Sequence, residues 1–175
     1  MLALLLALVL AAETSGDYNK AAWWTHWTDA DGDCQDARQE VLAVQSITPA
    51  RFTSDGCTVV AGSWIDPYTG DAVSRPTDLD IDHLVSLKEA HESGGASWSA
   101  QKKHQFAQDQ ENLRAVLAST NRSKQDFDPG EWLPAKKDRA CTYVRAWVAI
   151  KEKWKLTGDR KEQDAIDLLQ EQCPK

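Results

Sequence analysis

Apolar residues recur along the chain with two different periods. Tyr143, Trp147, Ile150 and Trp154 fall at i, i+4, i+7 and i+11, the stripe of a long amphipathic helix. Thr157 and Gly158 end it, and Asp159 with Glu162 three positions on reads as a capping box that opens a last helix. Residues 79–84 (LDIDHL) instead alternate apolar and polar with a period of two, as a half-buried strand does. Residues 57–65 (CTVVAGSWI) form a second strand candidate rich in β-branched and aromatic side chains, closed by the turn signal DPYTG. Short helices are expected over residues 35–43, 86–92 and 99–108, and a short apolar segment over 112–117. The pattern predicts an α+β fold with a small sheet and a helical C-terminal third.

Residues 1–12 (MLALLLALVLAA) are an apolar run that turns polar at once, the length of a signal-peptide core rather than of a membrane anchor. No Lys or Arg precedes it. A cut after this run leaves residues 13–175 as a single domain with no later stretch apolar enough to span a membrane. The four cysteines are even in number and form no C-x-x-C pair, so an exported chain is expected to hold them as disulfides. Three pairings are open. Position along the chain favours Cys34–Cys57 and Cys141–Cys173, one in each half, the latter worth roughly 3 kcal/mol on chain-entropy grounds.

Composition changes this picture little, since 42% hydrophobic and 27% charged residues are ordinary for a globular protein. Eight tryptophans supply unusual core material, and Trp64, Trp98 and Trp132 are expected there. Charge changes it more. The net charge of −7 disfavours a nucleic-acid partner only on average. Residues 1–80 carry four basic and twelve acidic side chains, whereas residues 101–161 carry fourteen basic and eight acidic. Phosphate binding responds to the local field rather than the total.

The candidate chemistry lies in three segments: Asp82-His83 at the end of the alternating strand, Asn112-Leu113, and Asn121-Arg122-Ser123-Lys124. An acid and a base adjacent on a strand point to opposite faces, so they serve one site only where the strand ends. Ser86 marks such an ending. An asparagine oxygen beside one carboxylate and several waters suits magnesium, and a histidine nearby can deprotonate water. His26, His91 and His104 are expected to be surface or satisfied structural residues. Separately, Asp29, Asp31, Asp33 and Glu40 stand at positions one, three, five and twelve of a calcium-loop spacing, with Cys34 where that loop needs glycine. No G-x-S-x-G elbow and no H-E-x-x-H motif is present.

The text DIDHLVSLKEAHESGGASWS, then FAQDQENLRAVLASTNRSKQDFDPGEWLP, then CTYVRAWVAIKEKW resembles the HNH nuclease superfamily. The likeness is to an exported bacterial branch related to the C-terminal domain of GmrSD restriction endonucleases. Upstream, DCQDARQEVL and GCTVVAGSWIDPYTG agree with it. The resemblance implies a ββα-metal core in which His83 is the general base, Asp82 and Asn121 hold the metal, and Asn112 positions the base loop. Ser86 and Gln108 depart from the family's frequent proline and asparagine. Arg38, Arg114, Arg122 and Lys124 are the candidate phosphate contacts. The expectation is a secreted or periplasmic monomer that hydrolyses DNA, with RNA a second candidate substrate, at low sequence specificity. One divalent cation is expected, Mg2+ first and Mn2+ next, with a structural Ca2+ as an accessory. The alternative is an exported calcium-binding or adhesion module without catalysis.

Overall fold

The computed structural model describes residues 8–12 and 16–173. The chain runs through helix α1 (Ala37–Gln45), strands β1 (Arg51–Phe52), β2 (Val59–Ala61), β3 (Trp64–Ile65), β4 (Ala72–Val73) and β5 (Leu79–His83), and helices α2 (Leu87–Glu92) and α3 (Ala100–Ala107). Strand β6 (Leu113–Leu117) and helices α4 (Ala118–Lys124), α5 (Lys137–Trp154) and α6 (Arg160–Gln170) complete it. The strands pair antiparallel as β1–β2, β3–β4 and β5–β6. The class is α+β with small sheets and a helical C-terminal part, as the periodicity predicts.

The expected strand over residues 57–65 is broken in two. At Gly62 an added Cβ would lie 2.6 Å from the Trp64 ring and 2.7 Å from Ser46 Oγ, so the chain passes close to both and leaves the ladder. Of the segment 112–117, residues Leu113–Leu117 form β6, in register with β5 from Leu79↔Leu117 to His83↔Leu113. The sequence assigned no helix to α4, which with β5 and β6 makes the ββα unit.

Two clusters of buried side chains flank this unit. Val41, Leu42, Val59, Trp64, Leu79, Ile81 and Leu113 pack between α1 and the strands. The larger cluster holds Trp23, Leu84, Phe106, Tyr143, Val144, Trp147, Ile150 and Ile166, with Trp98, Trp132 and Trp154 partly buried against it. The predicted tryptophan stripe of α5 therefore faces the core. Asp159 caps α6 by accepting from Glu162 N at 2.7 Å. The Glu162 side chain does not close the box; it turns inward to Lys151 Nζ and Trp147 Nε1.

Cys34 is bonded to Cys57 and Cys141 to Cys173, the favoured pairing. The leader expectation falls mainly on residues 1–7, outside the described residues. Leu8 N donates to Gln163 Oε1 at 2.8 Å, and Leu10 bridges to Gly158. Among the described residues no helix is long and apolar enough to cross a membrane.

Candidate active site

The site is built where β5 ends. Asn112, fully buried, holds the turn that follows: its Oδ1 accepts from Val85 N at 2.9 Å, and its Nδ2 donates to Val85 O at 3.0 Å. Its backbone carbonyl accepts from Leu84 N. Ser86 then caps α2 through Glu89 N at 3.0 Å. Asn112 thus touches backbone on every side, and its amide fixes the segment leaving His83.

His83 is held by two neighbours. Its Nε2 lies 2.8 Å from Ala107 O, and its ring stacks on Trp27 with centroids 5.6 Å apart and planes 28° apart. A carbonyl oxygen can only accept, so the proton sits on Nε2 and the lone pair on Nδ1. Burial pushes its pKa down to about 4, with smaller contributions from Lys124 and Lys20 in the same direction. The ring is therefore neutral at pH 7 and able to take a proton.

Asp82 points the other way. Its Oδ1 accepts from Lys124 Nζ at 3.0 Å and its Oδ2 from Tyr68 OH at 2.7 Å. Burial raises its pKa, opposed by Lys124 and Tyr68. Tyr68 is delivered by the DPYTG turn, whose Asp66 accepts from Tyr68 N and Thr69 N and ties the turn to β6 through Leu117 N. Asn121, on α4, donates from Nδ2 to Asp80 Oδ2 at 3.2 Å, and its Oδ1 takes no hydrogen bond from the described residues.

A cleft of about 440 Å³ opens over these groups, lined by Lys20, Asp82, His83, Asn121, Arg122 and Asp126 among others. Of the four candidate phosphate contacts, Arg122 alone lies in it. Arg38 donates to Pro76 O and Leu79 O, bracing the start of β5. Arg114 donates to Glu111 O and Leu113 O. Lys124 is fully buried and cannot meet a substrate phosphate in this conformation. Asp29, Asp31 and Asp33 do gather, with ligand atoms within 4.8 Å of one another, but their oxygens accept the loop's own amides at Gly32, Cys34, Asp33 and Gln35. Glu40 does not join that trio and accepts from Gln110 Nε2. Cys34 adopts the left-handed backbone (φ 73°) at the position that asks for glycine.

Sequence reasoning missed Trp27, Tyr68, Asp80 and Lys20. Asp80 was within reach, because it alternates with Asp82 on one face of the strand. The others carry no local signal. His91 is buried and bonds Gly16 O at 3.0 Å, a structural residue, while His26 and His104 are exposed, so each falls within the expectation.

The family of GmrSD restriction endonucleases, C-terminal domain, matches residues 35–167. The chain belongs to this family. A protein of Arthroderma benhamiae named "Uncharacterized secreted protein" is 34% identical over 151 residues, 85% of this chain and 72% of that one. No solved structure matches. The family is nuclease-related, and its match takes in β5, β6, α4, Asn112 and Asn121 but not Lys20 or Trp27, which this chain's N-terminal segment adds to the site.

Family membership implies a divalent cation, so the donor set decides whether the residues suit one. Asp82, Asn121 and Asp126 line the cleft and offer hard oxygen donors, as magnesium or manganese prefers, and no sulfur donor lines it. The residues fit an ion on the α4 side.

Proposed function

We propose that the chain is a secreted, metal-dependent endonuclease that hydrolyses phosphodiester bonds of DNA, and of RNA where a strand fits the cleft. The observation that carries this reading is His83: a neutral imidazole with its proton committed to Ala107 O, its ring stacked on Trp27 and lining the cleft, and its Nδ1 without a partner among the described residues. In this mechanism Nδ1 takes the proton from a water whose oxygen attacks phosphorus. The new P–O bond forms as the bond to the leaving sugar oxygen breaks, and that oxygen takes a proton from solvent. Arg122 and Lys20, both lining the cleft, hold the non-bridging oxygens. Asn121 would hold the divalent ion, which supplies positive charge against the developing phosphorane charge. The two disulfides and the relative's printed name support an exported setting.

The test is incubation of the purified chain with plasmid and with RNA, with magnesium, with manganese and with chelator. Cleavage that needs the divalent ion and falls about tenfold between 50 and 200 mM salt is expected, since two cations, Lys20 and Arg122, displace counterions from the phosphates. No cleavage of either polymer under any metal overturns the reading.

A further inference from the structure

Helix α4 borders two hollows. Asn121, Arg122 and Gln125 line the cleft, whereas Ser119, Thr120 and Ser123 line a second pocket of about 320 Å³, closed by Tyr68, Thr69, Trp132 and residues 133–135. Neighbouring residues of a helix stand about 100° apart, so Arg122 and Ser123 put the two hollows on adjacent faces, within the helix width of about 10–12 Å. About three nucleotides cover that span at the stacked rise of roughly 3.4 Å per strand, and fewer do when the strand is unstacked.

Trp132 sets the character of the second pocket. T-shaped contacts with Tyr68 and Tyr143, at centroid distances of 5.5 and 5.6 Å, fix its ring, and its Nε1 donates to Ser123 Oγ at 3.2 Å. The ring is nevertheless only partly buried. The hydroxyls of Ser119 and Thr120 make no hydrogen bond among the described residues. No carboxylate lines the pocket, in a chain with 27 acidic residues. Cations stand near it: Arg122 on the cleft side of α4, and Arg139 against the turn that carries Thr69, where a Cβ added to Gly70 would lie 3.1 Å from its Nε. A fixed, accessible indole beside unpaired hydroxyls suits a flat ring with hydrogen-bonding edges, and the absence of acid suits a ligand that carries phosphate.

We propose that this pocket is a nucleobase subsite: it takes an unpaired base of the strand whose phosphate lies in the cleft, stacked on Trp132 with its edge toward Ser119 and Thr120. The subsite rests on the reading of the cleft as a phosphodiester site. A base inside a duplex is already stacked and paired, so the pocket favours single strands. Hydroxyls both donate and accept, so it tolerates any base.

The experiment measures binding of a short labelled oligothymidylate, and of the same backbone with stable abasic sugars, to the disulfide-intact chain by fluorescence anisotropy in chelator, where no cleavage occurs. The wild type is expected to bind the thymidine strand more tightly than the abasic one. Trp132→Ala should weaken the thymidine strand about tenfold and leave the abasic strand unchanged, because stacking is lost and backbone contacts are kept. Ser119→Gln, which fills the pocket mouth from an exposed position of α4 without adding charge, should do the same about threefold or more and carries the test if Trp132→Ala fails to fold. Equal losses on both strands, no loss on either, or no binding of the thymidine strand by the wild type overturns the proposal. If the base-dependent losses appear but the wild type cleaves neither polymer with any metal, the nuclease reading falls and the subsite stands. If it cleaves while both variants bind the thymidine strand like the wild type, the subsite falls and the nuclease reading stands.

Discussion

A histidine serves as a base only when it is neutral and aimed, and both conditions at His83 are set by groups distant in the chain. The Ala107 carbonyl fixes the tautomer, burial keeps the ring uncharged, and Trp27 fixes its plane. An aromatic stack of this kind is worth about 0.5–1.5 kcal/mol, so Trp27→Ala should lower kcat by about two- to tenfold with KM unchanged. A raised KM with kcat unchanged, measured by steady-state cleavage, would make Trp27 a substrate contact instead. The Asp82-His83 pair, Asn112 and Asn121 were legible because their order along the chain carries the family's text. What they touch was not. Lys124 stands 42 residues from Asp82 in sequence and reads locally as one more solvated lysine. Its burial is a consequence of how α4 crosses β5, which no local pattern reports.

At the scale of elements, hydrophobic periodicity located what it can sense and missed what it cannot. The alternation of β5 and the stripe of α5 were visible because their buried faces are apolar. Helix α4 was not, because ASTNRSK buries Thr120 and Lys124 and turns polar groups toward the strand. The helices of the C-terminal third are joined by charge as well as by the tryptophan stripe. Lys151 of α5, wholly buried, bonds Glu89 of α2 and Glu162 of α6, with Thr157 O accepting a further proton. The Cys141–Cys173 bond fastens α5 to the segment after α6 and is not part of the cleft lining. Replacing both cysteines by serine should cost about 3–4 kcal/mol of stability on chain-entropy grounds and leave kcat unchanged. Thermal scans with matched cleavage rates test this. A large loss of kcat at temperatures where the variant stays folded would tie the helical third to the chemistry.

Across the whole molecule the basic excess of the C-terminal half proves smaller than its composition implies, because much of it is consumed internally. Lys124 and Lys151 are buried in ion pairs, Lys153 is held by Asp109 and Glu111, and Lys161 approaches Glu131. The basic residues that line the cleft are instead Lys20 and Arg122. Packing also sets the pH response. Burial raises Glu162 to about 7 and Asp128 to about 6, each above its usual carboxylate value. The folded state therefore holds these protons more tightly than the unfolded state does. Their contribution to stability is fully present below about pH 4 and is lost as pH rises through 6 and 7. Tm should accordingly fall between pH 5 and pH 8, and Glu162→Gln should flatten that fall. Parallel slopes for the two proteins in thermal scans across that range would show that Glu162 does not carry the dependence.

The central claim is that His83 activates the attacking water at a cleft that also holds a divalent ion. The most direct measurement is the initial rate of plasmid cleavage against magnesium concentration for the wild type and His83→Ala, both checked for the same thermal unfolding. The wild-type rate should rise to saturation with magnesium. His83→Ala should run about 10²–10⁴-fold lower at every concentration, the share that general-base help supplies, with no rescue by added metal. Near-wild-type cleavage by His83→Ala would contradict the account.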